Sequence, residues 1–242
     1  MQGLIEILPE TGSTNADLVS RLRGGEAVPE GFWLIADRQV AGKGRQGRAW
    51  SDAAGNFMGS TLVRLTGREP LPHTLALVAG VALHETVRAR LLVPARLELK
   101  WPNDLLLAGA KVAGILLERE GDAVVVGIGV NLASAPDVAG RKSVSLAQFG
   151  FAPDRDEFAA DLATTFCDEV ERWRTDGLQP VLTRWLAAAH PAGTPLAVNG
   201  KDGKIAGTFA GLEADGAMKL RRDDRSIHIV HAGDVALEEE AE

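Results

Sequence analysis

RLELKWPNDLLLAGAKVAGILLEREGDAVVVGIGVN, residues 96–131, is the stretch on which the fold turns. It holds four apolar runs, at 96–100, 104–107, 111–118 and 123–131, parted by Pro102-Asn103, Gly109 and Gly121-Asp122. Short runs of Leu, Ile and Val punctuated in this way predict consecutive strands of one sheet. Upstream, residues 4–8, 32–36 and 57–65 read as further strands, and a helix opens at about Ala16 behind Ser13, Thr14 and Asn15, all of them N-cap types. Pro72 opens a segment, 74–92, that is too long for a strand and predicts a largely buried helix. Phe158, Leu162, Phe166, Val170 and Trp173, then Leu178, Val181, Leu182, Trp185 and Leu186, recur at helical spacing and form core stripes. Past Pro191 the texture changes to five short strands between Asn-Gly and Asp-Gly turns, which predict a small barrel. The fold class is therefore α+β, a mixed-sheet domain flanked by helices over 1–190 with a small C-terminal β-barrel over 191–242, ending in an acidic tail at 238–242.

Composition narrows the function. A chain of 242 residues with 45% hydrophobic and 24% charged residues is an ordinary globular protein with enough apolar surface for a core. A net charge of −7 argues against a protein that coats nucleic acid. The single cysteine, Cys167, has no internal partner and suits a reducing compartment, with an inert buried thiol as its ordinary role. The N-terminus lacks the features of a secretion signal, and no apolar run nears the roughly 20 residues of a membrane span. The expected location is the cytoplasm, without membrane attachment.

Four groups of residues stand out from this background. The first is residues 39–50, Gln-Val-Ala-Gly-Lys-Gly-Arg-Gln-Gly-Arg-Ala-Trp, lying between two strand-like runs and hence in a loop. Gly42, Gly44 and Gly47 let the backbone approach a ligand closely, while Lys43, Arg45 and Arg48 supply charge for a carboxylate or phosphate, beside the flat indole of Trp50. The glycines satisfy the dinucleotide-binding pattern literally, but no helix follows them, and Lys43 lacks the neighbours of a P-loop lysine. The second group is Lys100-Trp101-Pro102-Asn103-Asp104, whose amide and carboxylate suit either a simple turn or a site. In the third, Lys111 opens an otherwise apolar strand running to Gly114 and Glu118, where an unpaired ammonium is costly, so it either leaves the edge or meets a ligand's negative charge. In the fourth, Gly127, Gly129 and Asn131, the glycines mark a close approach by another backbone or a ligand.

In order and spacing, Ser13-Thr14-Asn15, residues 39–50, 100–104, 111–118 and 127–132 resemble the biotin protein ligases, and the likeness extends over nearly the whole chain. It implies a catalytic domain like that of class II aminoacyl-tRNA synthetases, an SH3-like C-terminal barrel, and the short form of the family, without the DNA-binding domain of its repressor members. It also implies the chemistry. Biotin and ATP with Mg2+ give biotinyl-5′-AMP and pyrophosphate, and a lysine of a biotin carboxyl carrier domain of a carboxylase then takes the biotinyl group. No metal site belonging to the protein itself and no DNA partner are expected, and self-association as a homodimer is left open. Lys43 stands where the family usually has arginine, which keeps the charge and loses the bidentate fork.

By resemblance, the catalytic residues are Arg45, Arg48, Lys111 and Asp104. Biotin falls to Ser13, Thr14, Asn15, Gln39, Gly42, Lys43, Gly44, Arg45, Lys111 and Gly114, with Ser13, Thr14 and Gln39 hydrogen-bonding its ureido ring and Asn15 supporting them. ATP falls to Arg45, Arg48, Trp50, Asn103, Lys111 and Asn131. Three roles are open to Asp104: orienting Lys111, helping to bind magnesium, or assisting the incoming amine. With clustered cations and no apolar anchor, the glycine loop is expected to stay disordered until a ligand supplies counter-charge. The competing functions are a lipoate ligase, which would bind a dithiolane in place of the ureido ring, and a non-enzymatic ligand sensor.

Overall fold

The computed structural model describes residues 4–50, 53–137, 142–150, 152–200 and 203–237. Strands β1 (Ile5–Leu8), β2 (Trp33–Ala36), β3 (Phe57–Arg64), β4 (Leu97–Lys100), β5 (Asp104–Leu107), β6 (Ala110–Glu120) and β7 (Ala123–Val130) form one sheet. Their spatial order is β1-β2-β3-β7-β6-β5-β4. Only β1 and β2 run parallel, so the sheet is mixed. The four strands of residues 96–131 are consecutive neighbours, as their short turns require, and β1 to β3 extend the same sheet.

The sheet's two faces have different jobs. One is covered by α2 (Leu75–Arg88), α3 (Arg155–Thr175) and α4 (Leu178–Ala188), and there Val124, Val126, Ile128 and Val130 of β7 join Trp33, Phe57, Phe158, Trp173 and Trp185 in the main core. On the other face α1 (Thr14–Arg23) lays Leu18 and Val19 against Leu34, Leu62 and Val125. Along β7 beyond Val125, the positions on this second face are Gly127 and Gly129, with Gly114 of β6 in register with Gly129. The helix covers one end of that face, and the glycines leave the other end without side chains.

A second sheet follows, built of β8 (Pro195–Gly200), β9 (Gly203–Leu212), β10 (Met218–Arg221), β11 (Ile227–Val230) and β12 (Asp234–Leu237), all antiparallel, in the order β11-β10-β9-β8-β12. Two hydrogen bonds and a ring pair are among the contacts that fasten it to the rest of the chain. Trp101 Nε1 donates to the Gly216 carbonyl at 3.0 Å, Lys100 Nζ donates to the Val235 carbonyl at 3.0 Å, and the rings of Trp185 and Phe209 lie 6.5 Å apart. The motif at residues 100–104 thus ties the two sheets together as well as turning the chain.

Three expectations need correction. Helix α1 starts at Thr14, with Ser13 as its N-cap, so Thr14 and Asn15 occupy its first turn. The segment at 74–92 is a 3₁₀ turn over Pro72–Thr74 followed by a helix that ends at Arg88 with Ala89 as its C-cap. Cys167 is exposed on the outer side of α3 rather than buried. The acidic tail at 238–242 lies outside the described residues.

Where the chain passes from α4 to the second sheet, His190 is 2% exposed and its ring meets Phe209 edge-on at 4.4 Å. Burial, aided by the nearby charges of Lys100 and Arg96, lowers its pKa from 6.5 to about 4. The folded protein therefore holds this proton more weakly than the unfolded chain, and stability is lost as pH falls from 6.5 towards 4. Urea unfolding at pH 7 and pH 5 should differ by about 2 kcal/mol through this residue alone. The difference should shrink in His190→Gln, and equal pH slopes in the two proteins would contradict the assignment.

Candidate active site

The uncovered half of the second face is a cavity of about 460 Å³. Glycine makes it possible. A Cβ on Gly129 would lie 2.4 Å from Trp50 Cε2, and one on Gly127 would lie 2.2 Å from Asn15 Oδ1. The loop comes in over this floor and lays its indole on it, while Lys111 Nζ stands 5.8 Å from the centre of the Trp50 ring. Trp50 Nε1 is buried with no hydrogen-bond partner among the described residues. Trp50 is thus an apolar anchor for a loop expected to have none, and a short ladder between Lys43 and Ala49 closes the loop on itself.

The polar end of the cavity lies under the first turn of α1. Thr14 N–H donates to Gln39 Oε1 at 2.7 Å, and Thr14 Oγ1 lies 3.0 Å from the same oxygen and 2.6 Å from Ser60 Oγ. Asn15 Nδ2 donates to Glu118 Oε2 at 2.7 Å, and its Oδ1 accepts from Ser60 Oγ at 2.6 Å. Thr14, Asn15, Gln39 and Ser60 are all buried. Because α1 begins at Thr14, its first turn points the Thr14 and Asn15 side chains into the sheet instead of capping the helix.

At the other end, charge dominates. Lys111 Nζ pairs with Asp104 Oδ1 at 2.5 Å, and Lys100 Nζ pairs with Asp104 Oδ2 at 3.1 Å. Burial opposes ionisation of Asp104, but the two ammoniums outweigh it and hold the carboxyl below its ordinary pKa of 3.8. Of the two alternatives read for Lys111, leaving the edge or meeting a ligand, the structure adds a third, a carboxylate seven residues earlier in the chain. Arg45 donates to Asn103 Oδ1 at 3.1 Å and to the Gly233 carbonyl at 3.0 Å. Burial pulls its pKa below that of an ordinary guanidinium, partly offset by Asp104 and Asp234. Arg48 forms a two-point ion pair with Asp234 on β12. The loop's two arginines therefore reach the second sheet.

Ser13, Thr14, Asn15, Gln39, Lys43, Gly44, Arg45, Arg48, Trp50, Asn103, Asp104, Lys111, Gly114 and Asn131 all line this one cavity. Gly42 does not. It is buried behind the lining, where its carbonyl accepts from Trp50 N–H at 2.9 Å and a Cβ would come within 3.1 Å of Gln39 Nε2. Asn103 and Asn131 spend their amide nitrogens internally, on the Ile115 carbonyl at 2.7 Å and the Val144 carbonyl at 3.1 Å. Sequence reasoning assigned no role to Ser60, Lys100, Glu118 or Asp234. Ser60 had a signal, as a polar residue inside an apolar strand. Asp234 had none, since its partner lies 186 positions away.

The arrangement yields a direct test of the glycine floor. In Gly129→Ala the added methyl should push the indole off the sheet and shift tryptophan emission to the red, because Trp33, Trp101, Trp173 and Trp185 are already buried. An unchanged emission maximum would mean that Trp50 does not rest on Gly129.

Residues 9–132 match the biotin/lipoate A/B protein ligase family, and residues 195–237 match the biotin protein ligase C terminal domain. The biotin–acetyl-CoA-carboxylase ligase of Paracoccus denitrificans is 39% identical over 226 residues, which span 89% of this chain and 93% of that protein. The biotin protein ligase of Aquifex aeolicus in complex with biotin and ATP has a TM-score of 0.84 at 26% identity, covering 97% of this chain and 98% of that one. That of Leishmania major in complex with biotinyl-5-AMP has a TM-score of 0.66 at 25% identity, covering 95% and 99%. A cationic cavity beside a polar slot, on a fold shared over nearly its full length with these enzymes, places the chain in the biotin/lipoate protein ligase family, among its biotin protein ligases.

Proposed function

We infer that this chain activates biotin with ATP and passes it to a lysine of a biotin carboxyl carrier domain of a carboxylase. The observation that carries this reading is the meeting, in one cavity, of Arg45, Arg48 and Lys111 with Thr14 and Gln39. A carboxylate oxygen of biotin attacks the α-phosphorus of ATP, the bond from that phosphorus to the bridging oxygen breaks, and pyrophosphate leaves. The carrier amine then attacks the acyl carbon of the mixed anhydride, AMP departs and the amine loses a proton. Both reactants of the first step are anions, so fixed cations contribute most by offsetting their repulsion and the charge that builds in the transition state.

In this reading Lys111 meets the biotin carboxylate and then the adenylate phosphate, with Arg45 beside it and Arg48 on the ATP phosphates. Asp104 orients Lys111, because each of its oxygens is engaged by an ammonium, Oδ1 by that of Lys111 and Oδ2 by that of Lys100. Magnesium comes as the ATP complex. Among the described residues no three His, Cys, Asp or Glu side chains gather to hold an ion of the protein's own. Ser13, Thr14 and Gln39 serve the ureido ring together with backbone groups around Gly42, Lys43 and Gly44, and Asn15 supports them from behind. Trp50 offers its face to adenine, and Asn103 and Asn131 shape that end of the slot. The loop closes over the anhydride, and residues 191–242 form a unit that holds the loop's arginines through Gly233 and Asp234. Among the described residues no helix is long and apolar enough to cross a membrane. A cytoplasmic enzyme fits this reading.

Exchange of labelled pyrophosphate into ATP tests the reading directly. It should depend on biotin and fail with lipoate, because a dithiolane offers nothing to Thr14 and Gln39, whereas exchange supported by lipoate alone would favour the lipoate-ligase alternative. Lys111→Ala should lower kcat/KM for adenylation by about 10²- to 10³-fold. Arg45→Gly should still bind biotin but release the adenylate, so that lysines of bystander proteins become labelled. Unaltered acceptor selectivity in that variant would count against a closed loop.

A further inference from the structure

Glu118 lies at the solvent end of a hydrogen-bonded chain whose other end enters the ligand cavity. Asn15, over Gly127, bridges three adjacent strands, reaching Ser60 on β3 and Glu118 on β6 across β7. A carboxylate only accepts, so Glu118 Oε2 at 2.7 Å dictates which way the Asn15 amide faces, with Nδ2 outward and Oδ1 inward. Asn15 Oδ1 in turn only accepts, and at 2.6 Å it takes the one proton of Ser60. Ser60 Oγ and Gln39 Oε1, 2.6 and 3.0 Å from Thr14 Oγ1, are both left as acceptors, so the single hydroxyl proton of Thr14 goes to one of them. Gln39 Oε1 is fixed as an acceptor besides by Thr14 N–H at 2.7 Å. Whatever occupies the cavity therefore finds Thr14 Oγ1 as an acceptor only.

We propose that Glu118 is a positioning residue for ligand specificity, keeping through Asn15 and Ser60 both acceptor lone pairs of Thr14 Oγ1 open to receive an N–H of a cyclic urea. This rests on the biotin reading and adds to it a residue that never touches the ligand. Without the carboxylate, the Asn15 amide is free to turn over and donate to Ser60, which then donates to Thr14 and occupies one of the two lone pairs otherwise open to the ligand. Glu118 is itself exposed, so changing it leaves the core intact.

Steady-state adenylation with biotin and ATP, followed by pyrophosphate exchange, tests this in the full chain. Glu118→Ala should raise KM for biotin about tenfold, the size of one charge-assisted hydrogen bond, while kcat and KM for ATP stay within about twofold. Asn15→Asp alone sets two carboxylates against each other and should raise KM for biotin further. Asn15→Asp combined with Glu118→Gln restores the direction, because the introduced amide donates to one oxygen of the introduced carboxylate and Ser60 donates to the other, and KM should return to within about threefold of the unaltered protein. An unchanged biotin KM in Glu118→Ala, a parallel fall in kcat, or a double variant no better than Asn15→Asp would each overturn the proposal while the unaltered protein still makes biotinyl adenylate. If the unaltered protein makes none, the biotin reading itself fails and takes the proposal with it.

Discussion

An excess of positive charge, held in a cavity of a protein that is negative as a whole, is the constraint on which the rest of this structure depends. Lys43, Arg45, Arg48, Lys111 and Lys142 line the cavity against Asp104, Asp137 and Asp234, so the balance at the site is opposite in sign to the chain's net charge of −7. Left to themselves such cations repel, and the fold keeps them together with just enough counter-charge. Asp104 sits between Lys100 and Lys111, and Asp234 takes Arg48 from the far sheet. Neither pairing neutralises the site. A surplus of this sign suits anionic ligands.

That surplus has to be reachable, and the sheet sees to it by being unequal on its two faces. Three helices bury one face in apolar packing, while Gly114, Gly127 and Gly129 strip part of the other of side chains. The cost is borne where backbone hydrogen bonds on both sides hold β7 in place, between β3 and β6. Trp50 and Asn15 then occupy the volume that ordinary side chains would have filled. The same three glycines thus explain the floor of the cavity, the anchoring of the loop and the seat of the relay that starts at Glu118.

Much of this was legible in the residues because the signals were local. The apolar runs between tight turns gave the strands of 96–131 almost to the residue, and the helical spacing of Phe158 to Trp173 gave α3. Lys111 announced its need for a partner by opening an apolar strand. Thr14 and Asn15 misled because the side chains that favour capping are the same ones that, just past the cap, point into a sheet. What stayed hidden were pairings between distant positions, among them Arg48 with Asp234, Asn15 with Glu118, and β1 beside β2 at the sheet edge. No local pattern encodes these, since they depend on how the whole chain closes. The bonding of Asn103 and Asn131 was equally unreadable, because an asparagine that serves backbone carbonyls looks in sequence like one that serves a ligand.

The central claim is that the cationic loop and the strand-borne Lys111 serve one reaction centre. A crystal structure with a non-hydrolysable analogue of biotinyl-5′-AMP measures this most directly. The account predicts phosphate oxygens within about 3 Å of Lys111 Nζ and the Arg45 guanidinium, with the urea ring against Thr14 and Gln39. An analogue bound with its phosphate beyond the reach of both, or with its ring away from Thr14, would contradict it.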